Sequence, residues 1–171
     1  MEAFYCDTAE EAKKQVLSMI PEGSTVTSGG SVTLEQTSIM EELKSSRYTY
    51  VARCFSADPK EVQARYAQQV QADYYLLSTN AFTADGELVN IDGSSNRTAM
   101  FLHGPRNVIV VAGMNKLAMT REDALNRVHN MAAPPNASRL NKKTPCAMAG
   151  FGGDCHGPDT ICCQEVITRC C

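Results

Sequence analysis

At 171 residues the chain has the length of one compact domain with a single hydrophobic core. Its 43% apolar and 20% charged residues, with 11 glycines and 7 prolines, exclude a disordered, collagen-like or coiled-coil protein. A net charge of -3 gives no general field for nucleic acid, the longest apolar run (residues 108–112) is far short of the ~20 needed to span a bilayer, and the amino terminus lacks a basic-then-apolar leader. The expectation is a soluble, cytoplasmic protein with neither nucleic acid nor membrane as partner.

Along the chain, a short apolar run at residues 3–6 comes first. Thr8 and Glu11 then make a capping box ahead of Ala9, Ala12, Val16, Met19 and Ile20 at helical spacing. Pro21 ends that helix, and residues 25–27 read as a strand. The turn Gly29-Gly30-Ser31 leads into a second helix carrying Leu34, Ile39, Met40 and Leu43. A strand at residues 48–52 follows. Asp58-Pro59-Lys60-Glu61 starts a third helix with Val62, Tyr66 and Val70 as its stripe. Residues 74–78 and 88–91 read as strands, and Asp85-Gly86 between them favours a hairpin. Residues 107–112 lack polar alternation, which predicts burial on both faces and a central place in the sheet. Thr120 caps a last helix with Ala124, Leu125, Val128 and Met131 inward, ending at Pro134-Pro135. The fold class that follows is α/β: one domain with a mostly parallel sheet flanked by helices, and a β-hairpin near residues 76–91.

Eight cysteines are many for such a chain. Only Cys6 and Cys54 precede residue 146, so residues 1–145 form the α/β body and 146–171 a Cys-rich segment of the same domain. A disulfide framework does not suit a chain long enough to build a core without staples. Cys146, Cys155, Cys162 and Cys163, with His156 beside Cys155 and with Cys170 and Cys171 beyond, supply soft ligands for zinc or an iron–sulphur cluster, although no standard finger or ferredoxin spacing is present. Buried structural thiols are the competing reading.

Two further constellations bear on function. Gly29, Gly30, Ser31 and Thr33 sit between a strand and a helix, where backbone amides can meet an anion. Asn80, Asn90, Asp92 and Arg97 form a denser set. Asn90 and Asp92 share a strand face, and Arg97 could grip a carboxylate or phosphate with two prongs. Lys116 follows the apolar strand, where ligands gather in open α/β sheets. His103 and His129 show no paired metal spacing and read as structural.

Taken together, Ile20-Pro21-Glu22-Gly23-Ser24-Thr25-Val26 with Gly29-Gly30-Ser31-Val32-Thr33-Leu34, Ser78-Thr79-Asn80-Ala81, Asp85-Gly86-Glu87-Leu88-Val89-Asn90-Ile91-Asp92-Gly93, Asn96-Arg97, Gly104-Pro105 and Val108-Ile109-Val110-Val111-Ala112-Gly113-Met114-Asn115-Lys116 resemble the LUD (lactate utilisation) domain family over nearly the whole chain. The resemblance implies a stand-alone bacterial member with a fold similar to the NagB/RpiA/CoA-transferase superfamily, tied to organic-acid oxidation through iron–sulphur oxidoreductase partner subunits. It also implies a helix before Ala3 and a strand after Cys171 in longer relatives. Thr144-Pro145-Cys146, Cys155 and Cys162 match the family's tail, whereas Gly152 stands where a further cysteine is expected. Glu35 is the acid nearest the Gly-rich turn and hence the candidate nucleophile by analogy with the superfamily's CoA transferases, although their flanking motif is absent.

The leading expectation is a small anionic metabolite or nucleotide bound at the strand ends by Gly29, Gly30, Ser31, Thr33, Asn80, Asn90, Asp92, Arg97 and Lys116. The alternatives are an electron-transfer or scaffold subunit carrying a cluster or zinc, and an enzyme of CoA-transferase or cyclo-ligase type.

Overall fold

The computed structural model describes residues 1–148, 155 and 160–169; Gly152, His156, Cys170 and Cys171 lie outside the described residues. The chain forms two compact units, one of residues 2–78 and 99–112, the other of Met1, residues 79–98 and residues 113–171.

The first unit is built on a four-stranded, wholly parallel sheet in the order β2-β1-β3-β6, with β1 Thr25–Ser28, β2 Thr49–Val51, β3 Tyr74–Leu77 and β6 Asn107–Val110. Interior strands are covered on both faces, and β1 and β3 read accordingly: Val26 and Leu76 are fully buried. Polar side chains at such positions need partners. Thr27 donates its hydroxyl to the Val51 carbonyl at 2.8 Å and accepts from the Gln69 amide at 2.7 Å, while the Ser28 and Tyr50 hydroxyls bond at 2.8 Å. One face of the sheet packs against α1 (Ala9–Ser18), α2 (Val32–Gln36) and α3 (Ile39–Leu43) through Val16, Leu34, Ile39 and Leu43; the other packs Tyr75 and Leu77 against Tyr66 and Val70 of α4 (Pro59–Val70) and Met100 of α5 (Asn96–His103). Each such aliphatic side chain contributes ~1.5–3 kcal/mol when fully buried.

Several expectations change in detail. The capping box at Thr8 is present, with the Glu11 amide on the Thr8 hydroxyl at 3.1 Å, but the Glu11 carboxylate reaches back to the Asp7 amide at 3.0 Å. The second helix is two short ones, α2 and α3, because Ser38 adopts a left-handed φ of 54°. In α4 the inward stripe is Tyr66 and Val70 with buried Gln69, and Val62 is exposed. Strand β6 is not central: among the described strands it pairs only with β3. Its apolar run has a different cause, since Val108 and Val110 face the α4 and α5 cluster while Ile109 faces the other. Cover on both faces fixes a composition, not a place in strand order.

The second unit holds a mixed sheet, β7-β4-β5-β8, of β7 Leu117–Ala118, β4 Ala81–Thr83, β5 Glu87–Asp92 and β8 Gln164–Arg169. The hairpin is β4–β5, antiparallel, turning at Gly86 with φ 82°, a backbone conformation glycine adopts at no steric cost. Its first strand is therefore residues 81–83, and residues 74–77 serve the parallel sheet instead. The Cys-rich segment enters this unit through β8, which pairs with all of β5. Against the sheet packs α6 (Arg121–Arg127), capped by Thr120 through the Asp123 amide at 3.1 Å, with Ala124 and Val128 fully buried and Met131 turned outward. The prolines do not end this helix. A π-helical turn, Val128–Ala132, precedes α7 (Ala133–Arg139), which carries Pro134 and Pro135 at its second and third positions, within the first turn, where a missing N–H costs least. A final short helix, α8, spans Pro145–Met148.

Candidate functional site

The second unit brings Asn80, Asn90, Asp92, Arg97 and Lys116 together. Strand β5 carries Asn90 and Asp92 on one face by its period of two, and α5 begins four residues after Asp92, which returns Arg97 over them. The Arg97 guanidinium donates to Asn90 Oδ1 at 2.7 Å, Asn80 Oδ1 at 2.8 Å and the Ile91 carbonyl at 2.8 Å, with Nε 3.8 Å from the Asp92 carboxylate. Asn80 Oδ1 also accepts from the Ile91 amide at 3.0 Å, and Asp92 accepts from the Thr98 amide at 3.1 Å. The two-pronged grip expected of Arg97 thus falls on two asparagines of the protein. Close intramolecular acceptors have claimed the fork, and Asn80, Asn90 and Asp92 are its positioning residues. Asn90 is 1% exposed, and its side-chain Nδ2 has no hydrogen-bond partner among the described residues.

Sequence reasoning missed Arg127. From α6 it donates to the Asn80 carbonyl at 2.6 Å and, through Nε, to the Asn115 carbonyl at 3.1 Å. Both arginines therefore hold Asn80, one at its side chain and one at its main chain. No local motif marks Arg127, because it reaches the site from 47 positions along the chain. Lys116, at the end of the 3-10 turn Met114–Lys116, completes the set. Burial, then the positive charges of Arg127 and Arg97, push its amine down to about 8. Among the described residues, Arg97, Arg127 and Lys116 are three cations gathered near the Asp92 carboxylate in a partly dehydrated place.

The remaining predicted residues lie elsewhere. Gly29, Gly30, Ser31, Thr33 and Glu35 belong to the first unit. Ser31 spends its hydroxyl on capping α2, accepting from the Leu34 amide at 3.3 Å, and the buried Gly29 donates its amide to the Leu76 carbonyl at 2.9 Å. Arg53, from beyond β2, lies over Gly30 so closely that a Cβ there would stand 2.9 Å from its Nη1; its guanidinium also covers the Phe55 ring, 4.9 Å from the centroid. Glu35 is exposed on the five-residue α2.

The cysteines separate. Cys146, Cys155 and Cys162 line one cavity of about 60 Å³, together with Asn80, Asn136 and Thr144, whereas Cys163 is exposed with its sulfur 3.9 Å from the Thr160 carbonyl. Burial pushes the Cys162 thiol up, against a lowering hydrogen bond with Thr160, and the neighbouring Cys155, Cys146 and Cys163 add to the rise. Among the described residues no three His, Cys, Asp or Glu side chains stand preassembled as a metal-holding set. Nor, among them, is any helix long and apolar enough to cross a membrane. At the first residue of β5, Arg121 and Arg169 both clamp Glu87, the latter at 3.1 Å, and hold its carboxyl down at about 2.

Comparison with known proteins adds the following. Residues 1–170 match the family described as the LUD domain. Among solved structures, the chain is similar to ribose 5-phosphate isomerase A from Neisseria gonorrhoeae (15% identity, TM-score 0.43, 66% of this chain and 54% of that one) and to eIF2B delta from Chaetomium thermophilum (19%, 0.42, 70% and 52%). It spans about half the length of each. No curated protein matches.

Proposed function

Because the chain belongs to the LUD domain family, whose members serve functions related to lactate utilisation, we propose that it binds a small organic-acid anion at Lys116, with Arg97 and Arg127 supplying the surrounding positive field. The observation that carries this reading is the gathering of three cations, Arg97, Arg127 and Lys116, about Asn80 among the described residues. The neighbouring arginines that depress the Lys116 amine would favour an anion beside it, and a charge-assisted hydrogen bond to it is worth ~1.5–3 kcal/mol. Asn80, Asn90 and Asp92 hold the arginine fork in place and do not themselves meet the ligand.

Titration calorimetry with L-lactate, pyruvate and inorganic phosphate tests it, on wild type and on Lys116→Gln and Lys116→Arg. Loss of the charge should weaken organic-acid binding about 10-fold or more, Lys116→Arg should retain most of it, and wild-type binding should weaken as pH rises above about 8. Binding that is absent in wild type, or equal in Lys116→Gln, would remove the proposal.

A further inference from the structure

Three free thiols share one small cavity in the second unit. Cys146 is fixed and buried on α8, its sulfur 3.4 Å from the Thr144 hydroxyl. Cys155 and Cys162 are half-buried and lie outside any helix or strand. The cavity, about 60 Å³, is well below the ~300 Å³ at which pockets for organic ligands begin, and it exceeds the ~10–15 Å³ that one water-sized occupant requires. That volume suits an ion with a water or two. The lining among the described residues points to the class: three cysteines with apolar Val128 and Ile161 and two asparagines suit a thiophilic cation and disfavour a hard one such as magnesium.

From this juxtaposition we propose that Cys146, Cys155 and Cys162 together bind a single thiophilic metal ion of the zinc type, and that Cys163 takes no part. The sulfurs are not preassembled. Cys146 supplies the fixed ligand, and the two cysteines on irregular backbone are drawn onto the ion, each thiol releasing its proton to solvent as its sulfur–metal bond forms, with no electron transferred. The site shares Asn80 with the Lys116 cluster but takes its ligands from the cysteines alone, so metal uptake is read without reference to any anion at Lys116.

The experiment uses the whole chain, purified anaerobically and freed of reductant, titrated with Co2+ and then with Zn2+. One equivalent of Co2+ should produce the thiolate charge-transfer absorption of a tetrahedral site, and Zn2+ should abolish it. Cys155→Ser and Cys162→Ser should weaken Co2+ binding by more than the about 10–100-fold that outer partners of a metal site cost, while Cys163→Ser stays within about twofold of wild type. Cys146 is buried, so its serine variant could fail to fold; the other two carry the test alone. Zn2+ should also shield Cys146, Cys155 and Cys162 from alkylation and leave Cys163 open. The proposal is overturned by absent absorption in wild type, by equal binding in Cys155→Ser or Cys162→Ser, or by a Cys155–Cys162 disulfide forming in place of metal uptake.

Discussion

Replacing Arg97 by alanine removes three donated hydrogen bonds at once, to Asn90 Oδ1, Asn80 Oδ1 and the Ile91 carbonyl. The losses are unequal. Asn80 Oδ1 keeps the Ile91 amide, but Asn90 is 1% exposed and its Nδ2 already lacks a partner among the described residues, so its buried amide would lose its remaining bond. A buried polar group left unsatisfied costs ~1–3 kcal/mol. With a smaller loss at the Ile91 carbonyl, Arg97→Ala should destabilise the protein by about 3 kcal/mol, and Arg97→Lys, which can restore one of the three bonds, by about 1–2 kcal/mol. Urea unfolding followed by circular dichroism, in buffer without organic acids, measures this directly. With a denaturant slope of about 2 kcal/mol per M, the Arg97→Ala midpoint should fall by about 1.5 M at unchanged slope. In an Asn90→Leu background the same alanine substitution should cost at least about 1 kcal/mol less, since no orphaned amide remains. A midpoint within about 0.3 M of wild type, or full additivity with Asn90→Leu, would refute the assignment of Arg97 as the fork that holds this corner of the sheet.

Three further outcomes follow from single residues. Lys116 titrates at about 8 in the folded protein against 10.5 ordinarily, so the folded state disfavours its charged form; stability should be lowest below pH 8 and rise between 8 and 10.5, a gain absent from Lys116→Met in paired melting curves. Glu87, held at about 2 against 4.5 by Arg121 and then Arg169, contributes stability that is complete above pH 4.5 and lost as pH falls through 2; Glu87→Gln should flatten that acid limb, and parallel acid-unfolding profiles of the two proteins would reject the clamp. At Gly104 an added Cβ would stand 2.3 Å from the Met100 carbonyl oxygen; because backbone must move, Gly104→Ala should cost at least about 1–3 kcal/mol, and an unchanged melting temperature would contradict the close approach.

The helix starts at Thr8, Asp58 and Thr120 were legible because capping is written within four residues. So was the Gly86 turn, and so was the shared face of Asn90 and Asp92, which a period of two imposes on any strand. Less was legible where one local pattern serves two structures. A both-faced apolar strand reads the same at the centre of a sheet and at β6's position beside β3 alone, and Pro134-Pro135 reads as a stop unless a π turn precedes it. At the candidate site, residue types were readable and their partners were not: Arg97 was visible as a two-pronged donor, but its acceptors turned out to be Asn80 and Asn90.

What the sequence determined by itself was the alternation of strands and helices, their caps, the hairpin, and a resemblance running almost end to end, all of which rest on interactions between near neighbours or on residue order. Only the tertiary structure decided strand order, the arrival of Arg127 at Asn80, and the separation of Cys163 from the three cysteines of one cavity. Those depend on contacts between distant segments, whose geometry is set by packing and carries no mark in the local pattern of residues.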